Sequence, residues 1–476
     1  MTDTIRTTDQ EEPLVDQGRR AALLTVIVLC FSGMSVSLMQ TLVIPIQTEL
    51  PEFLHTTAAN ASWVVTATLL GAAVAMPIAG RLGDLFGKQR VLVGSSILLL
   101  AGSLVCALSD SLTPVLAGRA LQGLAMGFIP VGISLMREVV PPAMATTAVA
   151  AMSATLGVGG AIGLPLSAWI AQSGDWHTLF WVATGLAVVV GLGSWFLVPH
   201  VHDEHDGTFD FGGAVGLAVG LIATLVGVSK GNDWGWTSGR TVGCILAGVV
   251  VLLVWGWFEL RRREPLCDLR VTARRPVLLT NIAAIAVGFG MMAQAIVFPQ
   301  LLQMPKETGY GLDQSILAAG LWMAPSGLVM LALAPVSSWL MRTFGAKYAL
   351  ALGALVLGAG YLLSFFLMDA PWQIMIATLV CAAGVGIGYA AMPTLIMDAV
   401  PMNEAGSAVG INALMRSVGT TVASAVMAAV LTGFTIGLGG QEIPSENAFK
   451  VCFLVATAAA VIGSLVALTI PKREAV

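Results

Sequence analysis

Long apolar stretches, separated by short polar or glycine-containing segments, alternate along almost the whole chain. A helix needs about 20 apolar residues to cross a bilayer. Runs of roughly that length cover residues 21–46, 58–79, 90–108, 112–136, 144–171, 177–198, 210–229, 241–260, 277–302, 314–341, 346–368, 371–397, 405–436 and 448–470. No stretch has the period of two that is typical of a membrane β-strand. The pattern predicts an all-α integral membrane protein with fourteen transmembrane helices.

Composition agrees with a chain that lies mostly in lipid. Of the 476 residues, 57% are hydrophobic and only 11% are charged, against about 25% charged in soluble domains. This shortage excludes an ordinary soluble enzyme. The six cysteines are scattered without a CxxC pair, which favours packing roles over disulfides or a metal site. Residues 1–20 have no basic segment leading into a short apolar core, so we expect no signal peptide and the first run remains a span.

The Lys and Arg residues of the loops are distributed unequally between the two sides of the membrane. With the N-terminus inside, 17 of the 23 Lys and Arg residues fall in inner segments and 4 in outer segments, while Arg119 and Arg416 lie within spans. Positive residues favour the cytoplasmic side of a membrane. We therefore predict a multi-pass protein of the plasma (inner) membrane with both termini in the cytoplasm.

The chain also repeats itself. "GRLGDLFGK" follows span 2 and "SWLMRTFGAK" follows span 10, and aligning Gly87 with Gly345 sets Asp84 against Arg342. Two related halves with a site between them are typical of transporters. The predicted division is a tail 1–20, a six-span bundle 21–199, a linker 200–209, an inserted pair of spans 210–260, a basic loop 261–276, a second six-span bundle 277–470 and a tail 471–476.

Five motifs in the expected order resemble the major facilitator superfamily, and in particular its fourteen-span drug:proton antiporter branch. They are "GRLGDLFGK" after span 2, "GRALQGLAMG" in span 4, "GNDWGWTS" after span 7, "REPLCDLR" after span 8 and "GINALMRSVG" in span 13. The resemblance implies alternating access about a central cavity and proton-coupled efflux of amphipathic small molecules, as in multidrug or antibiotic resistance. An uptake symporter for an organic anion or a peptide is the alternative. A receptor or an enzyme is a third reading, but the spans contain no visible nucleophile–base set.

The resemblance also implies a gate on the cytoplasmic side, made by Gly80, Asp84, Gly87, Lys88, Arg90 and Glu138. We expect Asp84 to face the N-terminal end of span 13 near Glu404–Ser407, because free N–H groups there favour an anion. Lys88 is the expected partner of Glu138. The alternative is a loop that is basic only because it faces the cytoplasm.

Ionised groups are costly within a bilayer, so each one there is a functional candidate. No acid lies deep in a predicted span; those nearest the membrane are Glu49, Asp84, Glu138, Asp175, Glu259, Asp398 and Glu404. Arg119 and Arg416 do lie deep. Each either binds backbone carbonyls and buried polar groups or lines the cavity and senses substrate or proton. Gln40, Gln122, Asn281, Gln294 and Asn412 either bind substrate or join helices.

The chain departs from the family where the branch has an acid in span 1. Here "SLMQTLVIPI" has Met39 at that place when Thr41 is aligned with the family's Thr. Two arginines without a deep acid predict an electropositive cavity, which favours anionic, zwitterionic or neutral substrates over lipophilic cations. The remaining proton carriers are Glu49, Glu138, His177 or the substrate itself. In span 5, Trp169 stands where a glycine is expected and is predicted to alter helix packing.

The linker contains His200, His202 and His205 beside three acids. These residue types bind zinc or nickel, but a solvated linker is the favoured interpretation and no metal site is predicted. No GxxxxGK[ST] phosphate loop is present. We therefore expect no cofactor, no nucleic-acid partner and no ATP site, so that transport runs on a gradient or downhill.

Overall fold

Fourteen helical spans account for most of the structure, a computed structural model that describes residues 8–44, 46–47, 49–173, 175–200, 207–438 and 441–471. The predicted number of spans is confirmed for this part of the chain. The spans are Ala22–Thr41, Trp63–Phe86, Lys88–Ala107, Leu112–Val139, Met144–Ile170, His177–Phe196, Phe211–Trp234, Gly239–Glu259, Arg275–Gln303, Ile316–Phe344, Ala346–Phe366, Pro371–Ala399, Met402–Gly433 and Glu446–Leu468.

Several spans are interrupted or extended helices. Span 4 consists of Leu112–Leu124 and Phe128–Val139 around a 3₁₀ turn at Ala125–Gly127, span 10 of Ile316–Met323, Pro325–Ala332 and Ala334–Phe344, and span 12 of Pro371–Tyr389 and Ala391–Ala399. Spans 1 and 5 belong to the helices Thr8–Thr41 and Pro142–Ser173, and span 13 is a 3₁₀ turn Met402–Glu404 followed by Ala405–Gly433. Short helices lie at Leu50–Phe53, Ala58–Ala61, Leu269–Thr272 and Lys306–Thr308, the last a 3₁₀ turn.

Prolines explain the interruptions. Pro130, Pro325, Pro335 and Pro393 each lie within the first residues after a break. A proline has no N–H to donate to the residue four positions earlier, and its ring displaces that carbonyl. Spans 4, 10 and 12 therefore bend at these positions instead of running straight.

Two boundaries differ from the sequence prediction. The first helix begins at Thr8, so that part of the predicted N-terminal tail is helical. Span 13 ends at Gly433, and an antiparallel hairpin of Thr435–Leu438 and Gln441–Pro444 follows within the region that was predicted as helix and loop. In the hairpin Ile436 lies opposite Ile443, a pairing of branched residues that suits a strand better than a helix end.

The spans form two bundles and an added pair. Spans 1–6 pack together, with span 1 against span 5, span 2 against span 4 and span 3 against span 6; spans 9–14 pack with span 9 against span 13 and span 11 against spans 12 and 14. The bundles meet where span 2 contacts span 13 and where span 5 contacts span 10. Spans 7 and 8 pack on each other, and span 7 also contacts spans 2 and 13.

Contacts between the ends of several spans lie on one face of the molecule. Lys88 at the start of span 3 bonds to Glu138 at the end of span 4, and Lys347 at the start of span 11 bonds to the carbonyl of Ile470 after span 14 at 2.9 Å. We term the face that holds Arg81, Lys88, Arg137 and Lys347 the basic side.

Trp169 corrects one expectation. Its side chain is 60% exposed and points away from the neighbouring spans. The exchange of glycine for tryptophan therefore leaves the close contacts of span 5 undisturbed, since a side chain that faces outward needs no space between helices.

Candidate functional site

Asp84 joins the two bundles on the basic side. Its Oδ1 accepts a hydrogen bond from the Gly406 N–H at 3.1 Å, and its Oδ2 accepts one from the Ser407 N–H at 2.8 Å. Both donors belong to the first turn of the helix in span 13, where N–H groups have no partner within the helix. The side chain of Asp84 is only 1% exposed. The contact predicted between Asp84 and the start of span 13 is present.

Glycines allow spans 2 and 13 to approach closely at this point. A Cβ on Gly80 would overlap the carbonyl of Gly406, and one on Gly410 would lie 2.9 Å from the Pro77 Cα. Gly87 has a φ of 94°, a region that favours glycine. It ends span 2 and starts span 3 without an intervening loop. The glycines at 80 and 87 therefore have separate tasks, one in the contact between bundles and one in the turn.

Lys88 and Glu138 form the predicted ion pair, and the Lys88 Nζ lies 3.8 Å from the Asp84 Oδ1. Three charged groups from spans 2, 3 and 4 thus form one network behind the contact with span 13. Arg90 lies apart from it: the side chain is exposed and donates to the Phe86 carbonyl at 3.5 Å.

A second bridge between the bundles was missed. Arg137 Nη2 lies 3.2 Å from Asp398 Oδ1, with 28% and 42% of the two side chains exposed. The sequence contains a signal for it, because "LMRE" at the end of span 4 and "IMDA" at the end of span 12 occupy matching places in the two halves. A search for opposite charges at repeated positions would have found the pair.

The repeated turn in the second half has the same backbone but different side-chain contacts. Gly345 has a φ of 97°, close to that of Gly87, so the backbone of the turn is repeated. Arg342, which stands where the first half has Asp84, is exposed. There span 5 and span 10 are joined instead by the hydroxyls of Thr147 and Ser338, 2.8 Å apart.

Arg119 is held entirely by the protein's own acceptors. The residue is 1% exposed; its Nη1 donates to the Gln122 Oε1 at 2.6 Å and to the Met39 carbonyl at 3.4 Å, and its Nε donates to the Val64 carbonyl at 3.3 Å. Gln122 in turn donates to the Ser103 Oγ at 2.9 Å. No ion pair involves Arg119 among the described residues. Of its two predicted roles, this geometry matches the one that joins helices.

Met39 stands where the family that the sequence resembles has an acid in span 1. The carbonyl of Met39 faces the Arg119 guanidinium. A main-chain oxygen thus supplies the acceptor that a side-chain carboxylate would otherwise provide. Because a carbonyl does not take up a proton in this pH range, this contact has no titrating group of its own.

Arg416 has different surroundings. It lies about 16 Å along the helix of span 13 from its start, at 1.5 Å per residue, and is 8% exposed. Its guanidinium carbon lies over the ring of Tyr389 at 4.3 Å from the centroid. In the part of the chain that the structure describes, no carboxylate pairs with Arg416. A Cβ on Gly288 would overlap the Arg416 carbonyl, so span 9 passes directly beside it.

Two asparagines lie one helical turn away toward the basic side. The Asn412 Nδ2 donates to the Asn281 Oδ1 at 2.9 Å, which joins spans 13 and 9. The Asn281 Nδ2 is buried without a hydrogen-bond partner among the described residues. A cation on an aromatic ring and an unused amide donor therefore lie on neighbouring turns of the second bundle, an arrangement suited to an anionic or hydrogen-bond-accepting ligand.

The other candidates are dispersed. Gln40 and Gln294 are half-buried, while Glu49 is exposed at the start of the short helix Leu50–Phe53, on the side opposite the basic side. His177, on that side too, bonds through Nδ1 to the Asp175 Oδ1 at 2.6 Å and lies 3.2 Å from Asp110. The hydrogen bonds from His177 lower the pKa of Asp175. These contacts fit an anchor at a loop.

The histidine linker is described only in part. Residues 201–206, with His202, His205 and the three acids, lie outside the described residues. In the described ranges, no cluster of three or more His, Cys, Asp or Glu side chains is placed to hold a metal ion.

Comparisons with known proteins match most of the chain. The family model described as the Major Facilitator Superfamily matches residues 29–424. An uncharacterised MFS-type transporter of Mycobacterium tuberculosis is 27% identical over 427 residues, which are 89% of this chain and 61% of that protein. The chain thus spans about three fifths of the length of the first curated relatives it matches.

A second curated relative and one solved structure also match the chain. The multidrug resistance protein Stp of the same species is 27% identical over 376 residues, which are 78% of this chain and 69% of that protein. The crystal structure of the human organic anion transporter TETRAN has a TM-score of 0.64 at 16% identity, over 94% of this chain and 99% of that one. At this identity the likeness concerns the fold alone.

Proposed function

The chain belongs to the major facilitator superfamily, and from this membership we propose that it exports amphipathic small molecules across the plasma membrane in exchange for protons, by alternating access. Members of the family carry small molecules through membranes. Relatives named as multidrug resistance proteins support the direction and the broad substrate class. Within that class we propose anionic molecules as the preferred substrates, ahead of zwitterionic and neutral ones.

The observation that carries the substrate class is the environment of Arg416. A buried guanidinium that lies on Tyr389 has no described carboxylate to neutralise its charge, which leaves it able to pair with an anionic substrate. A bare lipophilic cation placed beside it would be repelled, whereas a carboxylate, sulfonate or phosphate would gain a charge-assisted hydrogen bond. The unused Asn281 amide donor, one turn away, favours an acceptor-rich molecule as well.

In this proposal Arg416, Asn412 and Asn281 contact the substrate, and Gln40 and Gln294 are further lining candidates. Arg119 and Gln122 hold spans 1 to 4 in register, because their polar atoms already bond to Met39, Val64 and Ser103. A role of Arg119 in substrate or proton coupling stays a prediction that requires it to leave these partners.

We propose that the basic side faces the cytoplasm and that its contacts form the gate. Asp84 with Gly406 and Ser407, and Arg137 with Asp398, bridge the two bundles there. This conformation would be closed to the cytoplasm, and the bridges would break when the site opens inward. Lys88 and Glu138 support Asp84 from behind.

The second candidate function is uptake of an organic anion together with protons. The lack of a described acid beside Arg119 or Arg416 favours it, since an anion that carries its own proton needs no carboxylate in the protein. Exchange and symport differ in direction under a pH gradient, which separates them experimentally.

The test is flux in proteoliposomes with an acidic interior. Two dyes with one apolar skeleton are compared, one a sulfonate and one a quaternary ammonium; both charges are permanent, so neither dye distributes by its own titration. For the exporter we expect the sulfonate to accumulate inside, driven by outward proton flow, with the ammonium dye near the level of empty liposomes.

Other results overturn parts of the proposal. Accumulation of the sulfonate only with an alkaline interior means symport with a proton that the protein carries and contradicts export. A carboxylate dye with the same skeleton, which can carry its own proton, tests the second candidate: uptake above that of protein-free liposomes only with an alkaline interior also means symport. Preference for the ammonium dye contradicts the role of Arg416. Equal uptake by protein-free liposomes for both dyes under every gradient contradicts transport of this substrate class.

A further inference from the structure

Two buried acids meet on the basic side where the inserted pair of spans ends. Asp210 precedes the first residue of span 7, and its Oδ1 accepts a hydrogen bond from the Gly213 N–H at 2.9 Å. Glu259 is the last residue of span 8 and is 2% exposed. Neither acid belongs to the substrate site around Arg416 or to the bridges between the bundles.

Three carboxylate oxygens of this pair are buried and make no hydrogen bond of normal geometry among the described residues. They are both oxygens of Glu259 and Oδ2 of Asp210; the backbone N–H groups of Leu266 and Cys267 and the Trp255 indole lie close to the Glu259 carboxylate. A Cβ placed on Gly213 would lie 2.9 Å from Asp210 Oδ2 and closer still to Glu259 Oε1, so these two oxygens are less than twice that distance apart. Among the described residues, the cation paired with Asp210 is the half-exposed Arg262, whose Nε lies 3.7 Å from Oδ2.

One bound proton would relieve the charge repulsion between the two carboxylates. Two ionised carboxylates within this distance repel each other, and burial disfavours the charged form of each. A single proton on one carboxyl removes one of the two charges and gives that carboxyl an O–H donor. We propose that Asp210 and Glu259 share a proton, which makes the end of the inserted pair a proton-binding site.

This site is connected to the gate through the loop that follows span 8. The Ser407 Oγ donates to the Leu266 carbonyl at 3.2 Å, while the Ser407 N–H donates to Asp84. Leu266 and Cys267 are each 1% exposed. Packing of this loop against span 13 therefore links the two acids to the Asp84 contact within a few residues.

The groups that face the acids come from each neighbouring segment. Glu259 faces Asp210, just before span 7, and the Trp255 indole of span 8, and the backbone N–H groups of Leu266 and Cys267 in the loop point toward it. Arg262 faces Asp210, and Arg81 of span 2 faces Cys267. A protonated pair lets the loop pack closely; loss of the proton leaves two repelling charges beneath it. Protons on the basic side thus stabilise the joined bundles, whatever molecule is transported.

Cys267 is a natural reporter of this packing. Burial raises the pKa of its thiol well above the usual range, so it reacts slowly while the loop is packed. The full-length protein in nanodiscs is treated with a maleimide at several pH values, and modification of Cys267 is measured by peptide mass spectrometry. Because thiols react faster at high pH in any case, the readout is the ratio of the wild-type rate to that of Glu259→Gln.

We expect this ratio to rise about tenfold between about pH 5 and pH 9, the change that corresponds to one unit of altered proton affinity. Asp210→Asn is the second variant and should resemble Glu259→Gln. The matched control is Glu264→Gln in the same loop. Glu264 is exposed, and hydrogen bonds from Thr208 lower its pKa, so its loss should leave the wild-type pH profile in place.

Three outcomes would overturn the proposal. A constant ratio across the pH range means that the acids bind no proton in this range. An equal change in Glu264→Gln means that general loop charge is responsible. Protection of wild-type Cys267 at high pH by Na⁺ or Ca²⁺, lost in both Glu259→Gln and Asp210→Asn, assigns the acids to a metal cation instead.

Discussion

The two bundles each bury one arginine, and they treat it differently. In the first bundle the Arg119 guanidinium donates to Gln122 and to two main-chain carbonyls. In the second bundle Arg416 lies on the face of Tyr389 and has no carboxylate partner among the described residues. A guanidinium has five N–H donors, so its availability to a ligand depends on how many the protein already uses. In our proposal the same residue type joins helices in one half and binds substrate in the other.

The repeated turns differ in the same way. Gly87 and Gly345 have nearly equal φ angles, so both turns have the same backbone. Asp84 can accept from the N–H groups at the start of span 13, but Arg342 has only donors and cannot bond to N–H groups at the matching place. The bundles are therefore held by a charge at one interface and by hydroxyls at the other. Backbone repetition does not imply repeated chemistry.

The largest effect is expected for Arg416→Gln. Loss of a buried charged partner costs about 2–5 kcal/mol in binding, so flux of the sulfonate dye should fall on the order of a hundredfold while the melting temperature stays near wild type. Proteoliposome flux and thermal unfolding measure the two quantities. Arg342→Gln, which removes an exposed arginine from the same bundle, is the control and should transport normally. Wild-type flux in Arg416→Gln would contradict the proposal that Arg416, unlike Arg119, binds the substrate.

Arg119→Gln should have the opposite profile. The change leaves buried acceptors without donors, which costs about 1–3 kcal/mol of stability, whereas affinity for the sulfonate should change little in the protein that remains folded. Thermal unfolding in nanodiscs and dye binding separate these effects. If stability is kept and dye binding is lost, the roles assigned to Arg119 and Arg416 have to be exchanged.

Asp84→Asn sharpens the comparison of the two turns. The amide keeps one acceptor but loses the charge that the helix start favours, an effect of about 1 kcal/mol. The bundles should then separate more often on the basic side. Distances between spin labels at the exposed positions Arg90 and Met402 measure this separation, with Arg342→Ala as the control. An unchanged distance distribution would show that the Asp84 contact does not hold the bundles together.

The smallest effect is expected for Asp398→Asn, which breaks the bridge to Arg137. Both side chains are partly exposed, so the pair contributes at most about 1 kcal/mol and is weakened by salt. The same label pair should report a small shift at low ionic strength that disappears at high ionic strength. A shift that persists at high salt would mean that Asp398 acts through packing and not through its charge.

Much of the architecture could be predicted because it depends on local composition. Fourteen apolar runs predicted fourteen spans, and the positions of Arg119 and Arg416 within their spans follow from counting residues along a helix. The resemblance carried the prediction further, to the contact of Asp84 with span 13 and to the pair of Lys88 and Glu138. Each of these involves residues next to a turn, where the order of the helices leaves little freedom.

Tertiary structure alone decided which side chains meet. The partners of Arg119, the ring beneath Arg416, the bridge of Arg137 to Asp398, the outward direction of Trp169 and the meeting of Asp210 with Glu259 all depend on how each helix is rotated about its axis. That rotation is set by packing between spans far apart in sequence. Hydropathy is nearly uniform around most of these helices, so it does not predict how each helix is rotated about its axis. The sequence by itself therefore determined the spans and their order, while the rotation of the packed helices decided which charges are neutralised and which remain available.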